Sequence, residues 1–131
     1  MTDSLHLQTK LIGPSAQQVF EAWMDSRIHA AFTGDPADIH PEVGGSFTIS
    51  GGYITGSNLE LEPYHRIVQA WRTTEFPDSA PDSWLEVLLE DTPDGCSLTL
   101  NQKNLPEDQV ESYRGGWQEY YFIPLQKYFS K

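Results

Sequence analysis

The sequence is short of positive charge. Only 8 of its 131 residues are Lys or Arg, against 19 Asp and Glu, so the formal net charge is −11. Nucleic acids and anionic membrane surfaces are bound by clustered cationic side chains, and we therefore expect neither as a partner. The excess of acid favours a surface kept soluble by its own electrostatic repulsion over an acidic docking surface.

Cysteine and long apolar runs are equally scarce. Cys96 is the only cysteine, which excludes an internal disulfide and favours a reducing compartment. The first ten residues are polar, so we expect no signal peptide. No apolar run approaches the ~20 residues that a membrane-spanning helix needs. Together these absences predict a cytoplasmic protein.

Motifs that identify a reaction are also missing. There is no Gly-x-Ser-x-Gly or Gly-Lys-Ser/Thr sequence, the signatures of a serine nucleophile and of a phosphate-binding loop. The four histidines are scattered without the spacing of a zinc-ligand pair. Asp35, Asp38 and His40 form a loose cluster of side chains of the kind that bind metals, on what we interpret as a loop or edge strand, but without a regular ligand spacing. We predict no catalytic residue, no metal and no cofactor, and thus a non-enzymatic protein.

The most informative stretch runs from about Val110 to Lys131. Its apolar residues recur at spacings of three and four, at Val110, Tyr113, Trp117, Tyr121, Leu125 and Tyr128. This period predicts an α-helix roughly 30 Å long with a mostly aromatic face. Pro124 cannot donate a hydrogen bond to the carbonyl of Tyr120, so we expect a kink there.

Gly115-Gly116 interrupts the predicted helix, at a cost of about 1 kcal/mol for each glycine. The close approach of a ligand or of a sheet would compensate for this cost. Alternatively, regular winding begins only near Trp117, and the sequence does not decide between the two.

The rest of the chain predicts mainly strands. Residues 4–12 form a first strand, and a Ser15/Gln18 capping box begins two short helices. The prolines that bound 37–41 allow a short edge strand there. Strands are then predicted at 46–50, 53–61, 66–74, 83–91 and 96–103, with a two-residue hairpin turn at Gly51-Gly52 and a bulge near 56–58. Pairing across the turn at 92–95 sets Val87 opposite Leu100. We predict an α+β protein in which a curved antiparallel sheet of about six strands wraps around the C-terminal helix, in a single domain over 1–131.

Several phrases, taken in order, resemble one family. They are Gly44-Gly45-x-Phe47, Glu60-Leu61-x-Pro63, Arg66-Ile67-Val68-x-x-Trp71-Arg72, Leu98-Thr99-Leu100-x-Gln102 and Gly116-Trp117-x-x-Tyr120-Tyr121. Over about residues 5–130 the chain is similar to the activator of heat shock protein 90 ATPase homologues, of the START-like (SRPBCC) superfamily. The resemblance implies a helix-grip fold with a cavity between sheet and helix. Superfamily relatives hold lipids, polyketides or other apolar small molecules in that cavity.

A cavity of this kind would be lined by residues of the sheet and of the helix. The candidates are Phe47, Tyr53, Trp71, Val87, Leu100, Gln102, Trp117, Tyr121 and Leu125. For each of them the alternative is ordinary core packing. Gln102 is the best candidate for orienting a ligand, whereas Arg72 should point to solvent or pair with a carboxylate because a buried guanidinium needs a partner.

Three functions follow as hypotheses. The first is non-enzymatic binding of a small apolar molecule, lipid-, polyketide- or flavonoid-like. The second, implied by the resemblance, is modulation of the chaperone ATPase with the chaperone as partner. We expect it to be secondary because the eukaryotic activator carries a separate N-terminal chaperone-binding domain with no counterpart in these residues. The third, a cyclase or aromatase, requires a titratable pair in the cavity that the sequence does not offer.

Overall fold

The computed structural model describes residues 2–130 as a sheet, two short helices and a long C-terminal helix. The strands are β1 (Thr2–Ile12), β2 (Ala37–Ile39), β3 (Ser46–Ile49), β4 (Ile54–Glu62), β5 (Arg66–Thr73), β6 (Ser83–Thr92) and β7 (Gly95–Pro106). The helices are α1 (Ala16–Met24), α2 (Ser26–Thr33), α3 (Val110–Trp117) and α4 (Ile123–Tyr128), and a π-helical turn (Gln118–Phe122) joins the last two. We call α3, the π turn and α4 together the C-terminal helix.

The sheet is antiparallel and its strand order is β1-β7-β6-β5-β4-β3-β2. The strands β2 to β7 form a meander. The last strand, β7, also pairs on its other side with β1, the first strand of the chain. The predicted class, a curved antiparallel sheet around a C-terminal helix with two short helices after the first strand, is confirmed. The described part of the sheet has seven strands where about six were predicted, because the short segment β2 pairs with β3 as a true edge strand.

Strand register follows the hydrophobic alternation. Val87 lies opposite Leu100, as predicted, and both side chains are fully buried. One local prediction was wrong. The connection after β3 is a four-residue loop rather than a two-residue turn, because three successive residues from Ser50 to Gly52 have positive φ. The bulge predicted near 56–58 is present and falls between Asn58 and Glu60.

The two short helices are fixed by their caps. The amide of Gln18 donates to Ser15 Oγ and the amide of Ser15 donates to Gln18 Oε1, which confirms the predicted capping box. The carboxylate of Asp25 caps α2 by accepting from the amide of Ile28. In the fold, α1 packs on β6 and β7, and α2 packs on β2 and α4.

The disruption predicted at Pro124 takes the form of a wider turn. In the π turn the amide of Ile123 donates to the carbonyl of Gln118, five residues earlier. Pro124 has no N–H for the carbonyl of Tyr120, and a π turn accommodates such a missing bond within a continuous helix. Lys131, the predicted end of the helix, lies outside the described residues.

Gly115 and Gly116 lie inside α3, so regular winding begins before Trp117. A Cβ added at Gly115 would meet nothing within 4 Å, and one at Gly116 would meet only the Tyr120 ring at 4.0 Å. Close approach of the sheet therefore does not explain these glycines.

Among residues 2–130, none of the helices combines the length and the apolar character that a membrane-spanning helix needs.

Candidate ligand-binding cavity

A cavity of about 440 Å³ lies between the C-terminal helix and the β3–β4 end of the sheet. It is lined by Thr33, Asp35, Ile49, Ser50, Tyr53, Ile54, Trp71, Thr73, Ser112, Tyr113, Gly116, Trp117, Tyr120 and Tyr121. The volume is within the range of small-molecule sites in proteins, about 300–1,000 Å³.

Aromatic rings form the wall against the core. Trp71 comes from β5, and its ring centroid lies 5.4 Å from that of Trp117 on the C-terminal helix. Trp117 lies 4.8 Å from Tyr121 one turn later, and Trp23 of α1 stacks behind Trp117 at 6.0 Å. These ring contacts are made within the protein itself, so the packing of the wall does not depend on a ligand.

His29 of α2 anchors this wall from behind. Its Nδ1 lies 2.8 Å from the carbonyl oxygen of Trp23, and its Nε2 lies 2.8 Å from the hydroxyl of Tyr121. Burial lowers the pKa of His29 to about 4, so the ring is neutral near pH 7. A carbonyl only accepts, so Nδ1 carries the proton, and Nε2 accepts from the Tyr121 hydroxyl.

A second hydrogen-bond network lies at the other end of the cavity. The Tyr53 hydroxyl donates to the Glu75 carboxylate. The Tyr113 hydroxyl donates to Gln109 Oε1 at 2.7 Å and accepts from Thr73 Oγ1 at 2.6 Å. Partial burial and the bond to Glu75 raise the pKa of Tyr53 to about 12, and burial raises that of Tyr113, so both phenols stay protonated.

The structure brings four of the nine predicted residues to the cavity: Tyr53, Trp71, Trp117 and Tyr121. Phe47 instead lines a neighbouring void of about 10 Å³. Four others do not lie on either space but are fully buried in the core, namely Val87, Leu100, Gln102 and Leu125. The physical reason is that α1 covers β6 and β7, and Trp117 of the C-terminal helix is hydrogen-bonded to Gln102 of β7, whereas the open space lies at β3 and β4.

Gln102 has a different role from the one predicted. Its Oε1 accepts from the Trp117 indole N–H at 2.9 Å, and its Nε2 donates to Ser83 Oγ at 3.1 Å. Its polar atoms are thus used in fixing Trp117. Arg72 pairs with the Asp82 carboxylate at 3.1 Å, one of the two predicted outcomes.

Sequence analysis missed several lining residues. Tyr113 belongs to the apolar stripe of the helix and could have been chosen from that stripe. Asp35 was considered only as a metal ligand, and no group of three or more His, Cys, Asp or Glu among residues 2–130 is placed to hold a metal ion. Tyr120 is 57% exposed at the mouth, and its position on the helix carries no apolar signal.

Comparison with known proteins identifies the family to which the chain is similar. Residues 14–130 match the family model described as Activator of Hsp90 ATPase homolog 1-like protein. The chain is 26% identical over 115 residues, 88% of its length, to the human Activator of 90 kDa heat shock protein ATPase homolog 1. It is 29% identical over 106 residues to the Dictyostelium discoideum homolog, which covers 79% of this chain. The matches cover only 34% and 27% of those relatives, so the chain spans about a third of their length.

Solved structures share the architecture. An HSP90 activator from Plasmodium falciparum superposes with a TM-score of 0.81 at 20% identity, covering 96% of this chain and 94% of that one. A Mesorhizobium loti protein gives 0.78 at 25% identity, with 95% of each chain covered. CalU16 from Micromonospora echinospora gives 0.76 at 21% identity, covering 98% of this chain and 76% of that one.

Proposed function

From the premise that this chain belongs to the Activator of Hsp90 ATPase homolog 1-like family, we propose that it is a non-enzymatic START-like binding domain. Its ligand is a small, largely apolar molecule of lipid-, polyketide- or flavonoid-like character, held in the cavity. The observation that carries the proposal is a cavity of about 440 Å³ whose aromatic wall is already packed without a ligand. A preformed apolar cavity binds without the cost of rearranging its walls.

Binding is favoured over catalysis by the state of the titratable groups. His29 is the natural general base of this region, but both of its ring nitrogens already have protein partners. The phenols of Tyr53 and Tyr113 are held protonated by their raised pKa values. A general base needs a free lone pair within reach of the substrate proton and a pKa near the working pH. His29 has no free lone pair, and neither its imidazole nor the two phenols have a pKa near 7.

The test uses the two adjacent helix glycines as a matched pair. Gly116 lines the cavity and its Cβ position is unobstructed, so Gly116→Leu should fill the cavity without straining the fold. Gly115 lies beside it, is exposed and does not line the cavity, so Gly115→Leu makes the same chemical change outside the site. Both variants gain helix propensity, which keeps them folded.

Binding is measured with the neutral fluorescent probe N-phenyl-1-naphthylamine and the flavonoid naringenin. We expect wild type and Gly115→Leu to bind alike and Gly116→Leu to bind about tenfold more weakly or not at all, because loss of apolar burial of ~60 Å² already costs about 1.4 kcal/mol. Equal binding by all three proteins, or no binding by wild type, would contradict the proposal.

Modulation of a chaperone ATPase is the second candidate, and the names and similarity of the curated relatives favour it. Such a function would need a docking surface rather than a cavity, so Gly116→Leu should stimulate the ATPase of purified Hsp90 as well as wild type does. The assay measures ATP turnover as a function of added protein, alongside a pull-down. No stimulation at high protein concentration would count against this function and leave ligand binding unaffected.

A further inference from the structure

The charge around the cavity has one sign. Among the described residues that line it, Asp35 is the one carboxylate, and none is Lys, Arg or His. The pKa of Tyr121 is raised, first by burial and then by the negative charge of Asp35. The electric field of this carboxylate therefore reaches the aromatic wall of the cavity. Glu75 adds a second carboxylate through its hydrogen bond with the lining residue Tyr53. An anionic guest would therefore meet no opposite charge and at least one like charge.

Three of the four lining phenols strengthen this bias because their protons are already used in hydrogen bonds. Tyr53 donates to Glu75, Tyr113 to Gln109 and Tyr121 to His29. What these three phenols offer a guest is the lone pairs of their oxygens. The lining side chains that keep a donor for the guest are neutral ones: Ser50, Ser112, the Trp71 indole and the Tyr120 hydroxyl.

The aromatic rings of the cavity also favour a cationic guest. Trp71, Trp117 and Tyr120 line the cavity, and the face of an aromatic ring attracts a cation through the ring quadrupole. The attraction grows when the cation leaves water, as it would in an apolar cavity. The net charge of −11 adds a long-range field that concentrates cations and depletes anions near the mouth.

We propose that the ligand of this cavity carries a positive charge: a protonated amine on an apolar, preferably aromatic, body. The amine lies toward Asp35 at the mouth and the body packs against Trp71 and Trp117. This inference rests on the proposed binding function and specifies the chemical class of the ligand.

Three compounds with the same naphthylmethyl body test the preference: 1-naphthylmethylamine, 1-naphthylmethanol and 1-naphthylacetic acid. At neutral pH they are a cation, a neutral molecule and an anion. Isothermal titration calorimetry of the full chain should give the amine about tenfold tighter binding than the alcohol, with the acid weakest. The Asp35→Asn variant should reduce the ratio of amine to alcohol affinity to about threefold, because the aromatic faces remain.

Asp38→Asn is the matched control, since Asp38 is an exposed carboxylate three residues away that does not line the cavity. It should leave the affinity ratio unchanged. If it lowers the ratio as much as Asp35→Asn does, the preference comes from overall charge and the assignment to the cavity is wrong. Equal affinities, or tighter binding of the acid, overturn the charge preference but leave the binding function standing. If none of the three binds, and the neutral probe also fails, the binding function itself falls.

Discussion

Replacing Gly56 by alanine is expected to lower the free energy of unfolding by about 3 kcal/mol or more. Gly56 lies on β4 between Phe47 of β3 and Trp71 of β5, directly opposite both. A Cβ at this position would overlap the carbonyl oxygen of Ala70 and come within 2.6 Å of Phe47 Cζ. Backbone cannot rotate away as the end of a flexible side chain can, so β4 must move relative to β5. That movement disturbs Trp71, which forms part of the cavity wall.

Urea unfolding followed by tryptophan fluorescence measures the effect. Ser57→Ala, at the next position of the same strand, is the control and should change the stability by less than about 1 kcal/mol. A Gly56→Ala protein with the unfolding midpoint of wild type would show that β4 can shift freely. It would also contradict the close packing of this corner of the sheet.

The second large effect is a loss of stability in mild acid caused by His29. The pKa of His29 is about 4 in the folded protein, against 6.5 as its ordinary value. Between pH 6.5 and 4, His29 is protonated in the unfolded chain but not in the folded protein. Its contribution to the free energy of unfolding is therefore fully present above pH 6.5 and declines as the pH falls toward 4. At about 1.4 kcal/mol per pH unit, the total loss is about 3 kcal/mol.

The measurement is the unfolding free energy from urea titrations at several pH values between 7 and 4. Carboxylates also titrate in this range, so the informative quantity is the difference between wild type and His29→Gln, which cannot bind the proton. That difference should shrink as the pH falls. His40→Asn, which removes an exposed histidine, should follow wild type throughout. A difference that is constant with pH would mean that His29 binds its proton equally well in the folded and unfolded protein, so that burial does not lower its pKa.

The local features of the fold could be predicted from sequence because each depends on a few neighbouring residues. The capping box at Ser15 is a pattern over four positions, and the pairing of Val87 with Leu100 follows from alternation on either side of one turn. The four-residue loop after β3 could not be predicted. It depends on a positive φ at Ser50, and serine is not a residue type that favours positive φ.

The cavity was harder to place because its position depends on contacts between distant segments. His29 and Tyr121 lie 92 residues apart in sequence yet share a hydrogen bond. Leu100 and Trp71 were both candidates for the cavity, yet Leu100 is fully buried in the core and Trp71 lines the cavity. Gln102 illustrates the difficulty: an inward-facing polar side chain predicts a ligand contact, but here its oxygen accepts from Trp117 and its nitrogen donates to Ser83.

The π turn has a geometric consequence for the stripe formed by Tyr113, Trp117, Tyr121 and Leu125. In a regular α-helix, a step of four residues overshoots a full revolution by about 40°, so three such steps would carry the last side chain about 120° around the axis. The π turn takes more residues per revolution, so the middle step falls short of a revolution and cancels part of this drift. All four side chains are accordingly less than 8% exposed. The wider turn therefore serves as a phase correction, which keeps side chains spaced strictly four residues apart on the side of the helix that faces the core.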